Sequence, residues 1–396
     1  MYVSVISIDA LIESDLKHFE SLPNMGRLLS KAAIVPKIMS IYPTYTYPCH
    51  ASIMTGCYPN KTGLFHNYDR KTGDWKWYRD AIKVPLITDY VDVKTAAVMW
   101  PVLGGADIDI LVPEIWADGE FEDSDERFRS AASPKGFDFY KRHKDKLCWM
   151  RTPAMDNFAA SVYADIIKEE KPGLSFLHLS YLDHQRHNCG AESENVLHAI
   201  SFIDEKIGEV LSAFESAGIF DDTLFVVLGD HGHRNFTKNF YLQEAIDRKG
   251  YGDRIHCYTV SLSSQIYIND IDEKEAFEVL SQIALDNPGT IDRIFTKKEL
   301  IDNYNLDGEF SFEVEAADSV AFKDSKSEIL LENIKRASSH GFLPEKGPFS
   351  PLIFSGFNVE CSNLECRIVD IAPTILLLFG KTPKMDGKSI KLKFSY

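Results

Sequence analysis

Pro43-Thr44-Tyr45-Thr46-Tyr47-Pro48-Cys49-His50-Ala51-Ser52-Ile53-Met54-Thr55-Gly56 reads as an extended run that becomes a helix at a hydroxyl residue. Pro48 falls in the first helical turn, where a missing N–H is tolerated, so Thr46 stands at the helix start. A helix N-terminus presents free N–H groups and a favourable dipole to a phosphate. A threonine in that place is either a helix cap or a nucleophile. The rest of the chain has to separate the two.

Upstream, Tyr2 to Ile8 is a short β-branched strand that ends at Asp9. Residues 14 to 31 follow with helical periodicity, and Ala32 to Ser40 is extended. Downstream, Lys94 to Trp100, Leu174 to Ser180, Thr223 to Leu228 and Pro351 to Ser355 read as buried strands. Glu194 to Ala217 is a long amphipathic helix, and Ile368 to Phe379 a closing one. Strands alternating with helices predict an α/β fold, a mainly parallel sheet sandwiched by helices. Two stretches break the rhythm. Residues 103 to 150 are polar and turn-rich (Ala117-Asp118-Gly119-Glu120 among them) and read as an insertion near the site. Residues 252 to 328 open with a strand-like run, Thr259 to Ile268, and a helix, Glu273 to Leu285. They read as a small inserted α+β subdomain, leaving 1–251 and 329–396 as the catalytic core.

In open α/β sheets the ligand crevice lies beyond the carboxyl ends of the strands. Asp9, Asp183 and Asp230 each lie just past an apolar strand, so three carboxylates distant in sequence can converge at one edge. Asp183-His184-Gln185-Arg186-His187 sets an Asp and a His four apart, a spacing that reaches one metal ion from a helical turn. Gly229-Asp230-His231-Gly232 is an adjacent Asp-His pair in a tight turn, and His340 lies in Ser338-Ser339-His340-Gly341-Phe342. Singly, each has a plain reading as a cap, a turn or a chance pair. Together, in this order with Thr46, they point to metal-assisted phosphoryl transfer.

Composition narrows the partners. The 396 residues are 44% hydrophobic and 26% charged, as in an ordinary globular enzyme, with a formal net charge of -16. Such a chain repels a nucleic-acid polymer, which leaves a small-molecule phosphate ester as the expected partner. No run approaches the roughly 18 apolar residues of a membrane span. Seven irregularly spaced cysteines and no basic, apolar leader predict a reduced, cytoplasmic protein.

Six motifs then carry a resemblance across nearly the whole chain: the segment from Pro43 through Gly56-Cys57-Tyr58-Pro59, Gly63-Leu-Phe-His-Asn67, Asp183-x-x-x-His187-x-x-Gly190, Gly229-Asp-His-Gly232, Ser339-His-Gly341 and Val369-Asp-Ile-Ala-Pro-Thr374. They resemble the alkaline phosphatase superfamily and, within it, the nucleotide pyrophosphatase/phosphodiesterase group. The resemblance implies two divalent metal ions, zinc by ligand type with manganese also compatible. Asp183, His187 and His340 would hold one; Asp9, Asp230, His231 and the Thr46 oxygen would hold the other. Thr46 would attack phosphorus and carry a phosphothreonine-type intermediate. Asn67 and the backbone N–H of Tyr47 would bind a phosphoryl oxygen.

Some residues keep two readings. Tyr47 either stacks on a nucleobase or packs in the core. Arg186 replaces the glycine the family often has before the second histidine, and either binds substrate phosphate or pairs with a surface carboxylate. Ala10 stands where Asp-Gly is common after the first strand. His50, His66, His178, His184 and His233 read as structural neighbours of the ligands. A sulfatase is excluded because Ile53 stands where arginine is needed. Phosphonoacetate hydrolase, a phosphomonoesterase and a catalytically degenerate metal-binding protein remain alternatives. Tyr47, and Trp100-Pro101 after a strand, favour a diester with an aromatic group.

Overall fold

The computed structural model describes residues 1–115, 124–147 and 153–395. The Ala117-to-Glu120 turn therefore lies outside the described residues. Among those described, the central sheet has eight strands in the order Glu365–Arg367, Ala32–Met39, Ser350–Ser355, Thr223–Leu228, Tyr2–Ile8, Leu174–Leu179, Thr95–Val98 and Ile110–Val112. Ser350–Ser355 is antiparallel to both its neighbours, while the remaining pairings are parallel. The sheet is mixed but mainly parallel, with helices on both faces.

The Tyr2–Ile8 strand shows why it sits in the middle. Val3 and Val5 point into one hydrophobic cluster, Ile6 and Ile8 into the other. A strand buried on both faces needs apolar side chains on both periodic sets, which is how this one reads. Its carboxyl end delivers Asp9, and the neighbouring Thr223–Leu228 strand, in register through Ser7 opposite Leu228, delivers Asp230.

Three elements differ from expectation. The helix expected over 14–31 is divided into Leu16–Phe19 and Pro23–Leu29. Pro23 disfavours a helical residue before it, and Leu22 is extended at φ -94, ψ 149. The Thr259-to-Ile268 run is a hairpin of Ile255–Val260 and Ser263–Ile268, turning at Ser261 with φ 55. Part of the expected insertion, Ile110–Val112, is the edge strand of the central sheet, and Glu114 just beyond it reaches the site.

Ile255–Val260, Ser263–Ile268, Ile291–Thr296 and Phe312–Ala316 form a separate four-stranded sheet covered by the helix Glu273–Asp286. Its hydrophobic cluster also takes in Phe240, Leu242 and Ile246 on one side and Val320 and Phe322 on the other. Ser319–Lys323, Arg234–Tyr241 and Leu331–Ser339 make a three-stranded sheet that ends at His340. No helix among the described residues is long and apolar enough to cross a membrane. The six described cysteines are free thiols.

Candidate active site

Thr46 is the first residue of the helix Thr46–Thr55, which follows extended Tyr45 and ends at Gly56 in the left-handed region, φ 63. A side chain at Gly56 would also collide with Met385 Sδ at 2.6 Å. The helix that carries Thr46 is thus bounded by extended Tyr45 at one end and left-handed Gly56 at the other. Thr46 Oγ1 lies 3.0 Å from His231 Nε2.

A second close approach brings the strand ends together. A Cβ on Gly229 would stand 2.2 Å from the carbonyl oxygen of Leu11, so only glycine lets the two loops meet. Ala10 N then donates to Asp230 Oδ1 at 3.2 Å. Ala10 itself has φ 60, so replacing the usual glycine kept the strained backbone.

Two groups of potential ligands result, each with donor atoms within 4.8 Å of one another: Asp183, His187, His233 and His340, and Asp9, Asp230 and His231. All six Asp and His residues expected to hold metal are brought together, divided as expected. His233, read as a structural neighbour, sits inside the first group. His231 and His233 flank Gly232 with their rings 6.0 Å apart, one in each group, and the sequence Asp230-His231-Gly232-His233 shows both.

Orphaned atoms show that these groups fit a cation. Asp9 Oδ1, Asp230 Oδ2 and His231 Nδ1 are buried without a hydrogen-bond partner. Burial, with repulsion from Asp230 and Asp183, pushes the Asp9 carboxyl well up. Burial first, and Asp183 behind it, raises Asp230 to about 7. Burial opposes ionisation of Asp183 too, yet His187 and His233 hold its carboxyl well below the usual range. Burial lowers His233 to about 3 and His340 to about 4. Neutral imidazoles beside crowded carboxylates are the donor set of a divalent metal.

The tautomers agree. His340 Nδ1 donates to the Thr44 carbonyl at 2.9 Å, which leaves Nε2 for a ligand. Ser338 Oγ donates its proton to the Arg186 carbonyl at 2.7 Å, so it accepts from His233 Nδ1 at 3.1 Å. His233 Nε2 then turns a lone pair towards Asp183 Oδ1, 2.6 Å away. That contact calls for a proton or a metal ion between the two atoms.

A cavity of about 270 Å³ covers the site, lined by Thr46, Tyr47, Asn67, Tyr68, Trp75 and Glu114 among others. Asn67 Oδ1 accepts from Tyr47 N at 2.9 Å, so that N–H, expected to bind phosphate beside Asn67, is bonded to Asn67 itself. Tyr47 packs on Trp75 at 5.2 Å and Tyr68 on Trp75 at 4.3 Å. Tyr47 therefore serves both as core and as cavity wall. Sequence reading missed Trp75 and Tyr68, whose only signal was an aromatic-rich stretch after Asn67.

Of the remaining residues, His178 and His184 line the cavity, and the others lie outside it. Trp100 is fully buried against His50 and Phe176 and lines no part of this cavity. His50 bridges Ser7 Oγ and the Thr46 carbonyl at 2.9 and 2.8 Å. His66 accepts from Tyr68 N, and His184 pairs with Asn188. His178 lies 3.4 Å from Asp9 Oδ2, at the cavity wall rather than deep in the core. Arg186 is wholly buried, and its Nη2 holds both Asp15 oxygens at 2.7 and 2.8 Å. Its partner is a core carboxylate, neither substrate nor surface.

Residues 3–337 match the family described as type I phosphodiesterase / nucleotide pyrophosphatase. Among curated proteins, ectonucleotide pyrophosphatase/phosphodiesterase family member 1 of Homo sapiens is 24% identical over 224 residues, 53% of this chain but only 21% of that protein's length. Bis(5'-adenosyl)-triphosphatase ENPP4 of Bos taurus is 22% identical over 395 residues, 96% of this chain and 78% of the relative. Two solved structures share the fold. Murine ectonucleotide pyrophosphatase/phosphodiesterase 5, in an inactive complex with AMP, has a TM-score of 0.69 at 16% identity over 98% of this chain and 97% of that one. Phosphonoacetate hydrolase from Sinorhizobium meliloti has a TM-score of 0.66 at 17% identity over 90% of each chain.

Proposed function

From the premise that this chain belongs to the type I phosphodiesterase / nucleotide pyrophosphatase family, we propose that it hydrolyses phosphodiester or pyrophosphate bonds of nucleotide-like small molecules through Thr46. One observation carries the reading. The Thr46 hydroxyl, at a helix N-terminus and 3.0 Å from His231, faces an aromatic-walled cavity with two Asp/His groups around it.

Asp183, His187, His340 and His233 would hold one divalent ion, and Asp9, Asp230, His231 and Thr46 a second, with zinc the best match to the donors. The ions would supply the positive charge that eases loss of the Thr46 proton and offsets charge on the leaving oxygen. The chain does the rest. The Thr46 Oγ1–phosphorus bond forms as the phosphorus–oxygen bond to the leaving group breaks. The hydroxyl proton passes to solvent. Asn67 offers its amide N–H to a phosphoryl oxygen, and the helix N-terminus adds its dipole. Water then cleaves the phosphothreonine and restores the hydroxyl. Tyr47, Tyr68 and Trp75 provide a ring-binding wall, which favours a nucleotide ester over the small phosphonoacetate ion. AMP in the murine neighbour is of the same chemical class. We infer a reducing compartment for the enzyme, a reading supported by the irregular spacing of its cysteines.

The test is turnover of zinc-loaded protein on p-nitrophenyl thymidine 5'-phosphate against p-nitrophenyl phosphate, with Thr46→Ala as control. The expected result is a preference for the diester, abolished in Thr46→Ala without loss of metal. A preference for the monoester would move the assignment to a phosphatase. Turnover retained by Thr46→Ala would remove the covalent step.

A further inference from the structure

The strand Phe312–Ala316 reads Phe-Glu-Val-Glu-Ala, apolar and acidic in strict alternation. Such a strand ordinarily turns its acidic face to water. Phe312, Val314 and Ala316 do enter the core of the inserted subdomain, yet Glu313 and Glu315 are buried as well, 0% and 1% exposed. Their face of the four-stranded sheet is pressed against the catalytic core.

Four contacts seat the subdomain there. Tyr45 Oη and Ser263 Oγ are 2.7 Å apart, Tyr42 Oη donates to Glu315 Oε2 at 3.1 Å, the Leu343 N–H donates to Glu315 Oε1 at 3.0 Å, and Gln265 Nε2 donates to the Phe65 carbonyl at 2.9 Å. Tyr42 and Tyr45 lead into Thr46, Phe65 comes shortly before Asn67 and Leu343 shortly after His340. A Cβ on Gly341 would stand 2.5 Å from Tyr45 Cε1, so the Tyr45 ring is packed on the backbone next to His340. Thr46 and His340 thus share one support, and the subdomain braces it.

Glu313 is the exception on this face. Among the described residues neither of its carboxyl oxygens has a hydrogen-bond partner. Gln265, opposite it in the ladder, is committed to Phe65 and accepts from Tyr267 at 3.1 Å. Phe295, opposite on the other side, has an apolar side chain. The cations of this face are engaged elsewhere: Lys346 pairs with Glu315 at 3.1 Å and Asp292 at 2.6 Å, and Arg293 with Glu299 at 3.0 Å. Facing Glu313 are therefore one carboxylate, Glu315, and three phenols, Tyr42, Tyr45 and Tyr267. Burial keeps the phenols protonated, pushing Tyr267 up to about 12 and the other two well above their usual range. Burial lifts Glu315 to about 7, with Lys346 drawing it back. For Glu313 burial outweighs the pull of the Ser263 hydroxyl, and the carboxyl rises well above the usual range. A carboxylate without partner or counterion is costly in such a place, and a neutral carboxyl far less so.

We propose that Glu313 is a positioning residue for the reaction of Thr46: as a neutral carboxyl it lets the inserted subdomain seat on residues 42–45, and once ionised it works the seat loose. The inference rests on the Thr46 reaction assigned above. Seating takes up one proton from solvent, and unseating returns it from the wetted carboxyl. The stability of the seat is therefore complete below the ordinary glutamate value of 4.5 and declines as pH rises above it. The ratio of seated to unseated protein falls about tenfold for each pH unit in that range.

The test is hydrogen exchange of the zinc-loaded protein between about pH 5.5 and 8.5, read by mass spectrometry on residues 40–46 and 340–345, for wild type and Glu313→Gln. The expected result is protection that falls more steeply with pH in wild type, the ratio of variant to wild type widening by about tenfold per pH unit. Kinetics on p-nitrophenyl thymidine 5'-phosphate link the seat to the reaction. Glu313→Gln, the neutral replacement, should match the wild-type kcat near pH 6 and exceed it near pH 9. Tyr45→Phe, which cuts the bond to Ser263, should lower kcat about tenfold with KM changed by less than about twofold. Circular-dichroism melts check folding, and Glu313→Met takes the place of Glu313→Gln should that variant not fold. A protection ratio that stays constant with pH would overturn this inference and leave the Thr46 reaction standing. So would a Tyr45→Phe effect confined to KM. No turnover by zinc-loaded wild type would overturn the Thr46 reaction and the positioning role with it.

Discussion

Asp230 shows most plainly what single residues contribute. It is fully buried, its Oδ2 has no hydrogen-bond partner, and burial pushes its carboxyl up to about 7 against 3.8 for an ordinary aspartate. A folded-state pKa raised in this way contributes stability that is complete below about pH 4 and lost as pH rises through 7. Metal-free Asp230→Asn should therefore melt higher than metal-free wild type near pH 8. The gap should close towards pH 4, while zinc binding and turnover are both lost. Equal melting of the two metal-free proteins near pH 8 would mean the charge is relieved some other way. His340→Ala should likewise lose metal and activity together. For His233 the expectation is narrower: zinc bound at the Asp183 group weakens by at least tenfold in His233→Ala, an effect typical of removing a supporting ligand. Calorimetric titration of zinc reads this directly, and unchanged affinity would return His233 to a purely structural role. Motif spacing singled out Asp9, Asp183, His187, Asp230, His231 and His340, which short local segments carry to strand ends or into the helix that follows one, and which the fold gathers into two groups. It could not rank His233, because whether a neighbouring ring faces the site depends on Ser338, 105 residues away.

At the scale of elements, the helix Tyr181–Cys189 carries Asp183 and His187 but does not cap itself. Ser180, its N-cap residue, turns its hydroxyl to Asp156, and Asp156 accepts from the N–H groups of Ser180 and Tyr181 at 3.0 Å each. Asp156 comes from the helix Ala154–Glu170 and is buried. Burial raises its carboxyl to about 6 despite those donors. Losing this borrowed cap should cost about 2 kcal/mol. Asp156→Ala is expected to lower the melting temperature and weaken metal binding at the Asp183 group, with Asp156→Asn retaining most of both. A fall in stability with zinc affinity untouched would show that the helix holds its ligands without this cap. Periodicity found this helix's neighbours, yet Asp156 had no mark in sequence. A cap borrowed from another helix leaves no local pattern, whereas Pro23, which divides the first helical stretch, is a local signal.

Across the whole molecule, the site is a seam between layers. The central sheet supplies Asp9, Asp230 and the helix of Thr46, while the three-stranded sheet ends at His340. The separate four-stranded layer is tied to the segment before Thr46 through Tyr45 Oη and Ser263 Oγ at 2.7 Å, and through Tyr42 and Glu315 at 3.1 Å. Ions bound only by the assembled seam stabilise the native state by mass action. Chelation should therefore lower the melting temperature by several degrees, and more near pH 8 than near pH 6, where Asp230 takes up a proton instead. A melting temperature indifferent to chelation would argue against metal in these two groups.

By itself the sequence determined the alternation of strands and helices, the carboxylates at strand ends and the strand-to-helix turn at Thr46. Each is written in short-range periodicity or in a few adjacent residues. Tertiary structure alone decided that Trp75 and Tyr68 wall the cavity while Trp100 packs behind His50, that Arg186 pairs with Asp15, and that Glu313 is buried beside Glu315. The physical reason is that burial and pairing are properties of surfaces brought together from distant parts of the chain. A side chain's partner is chosen by the packing of whole layers, and no local pattern records it.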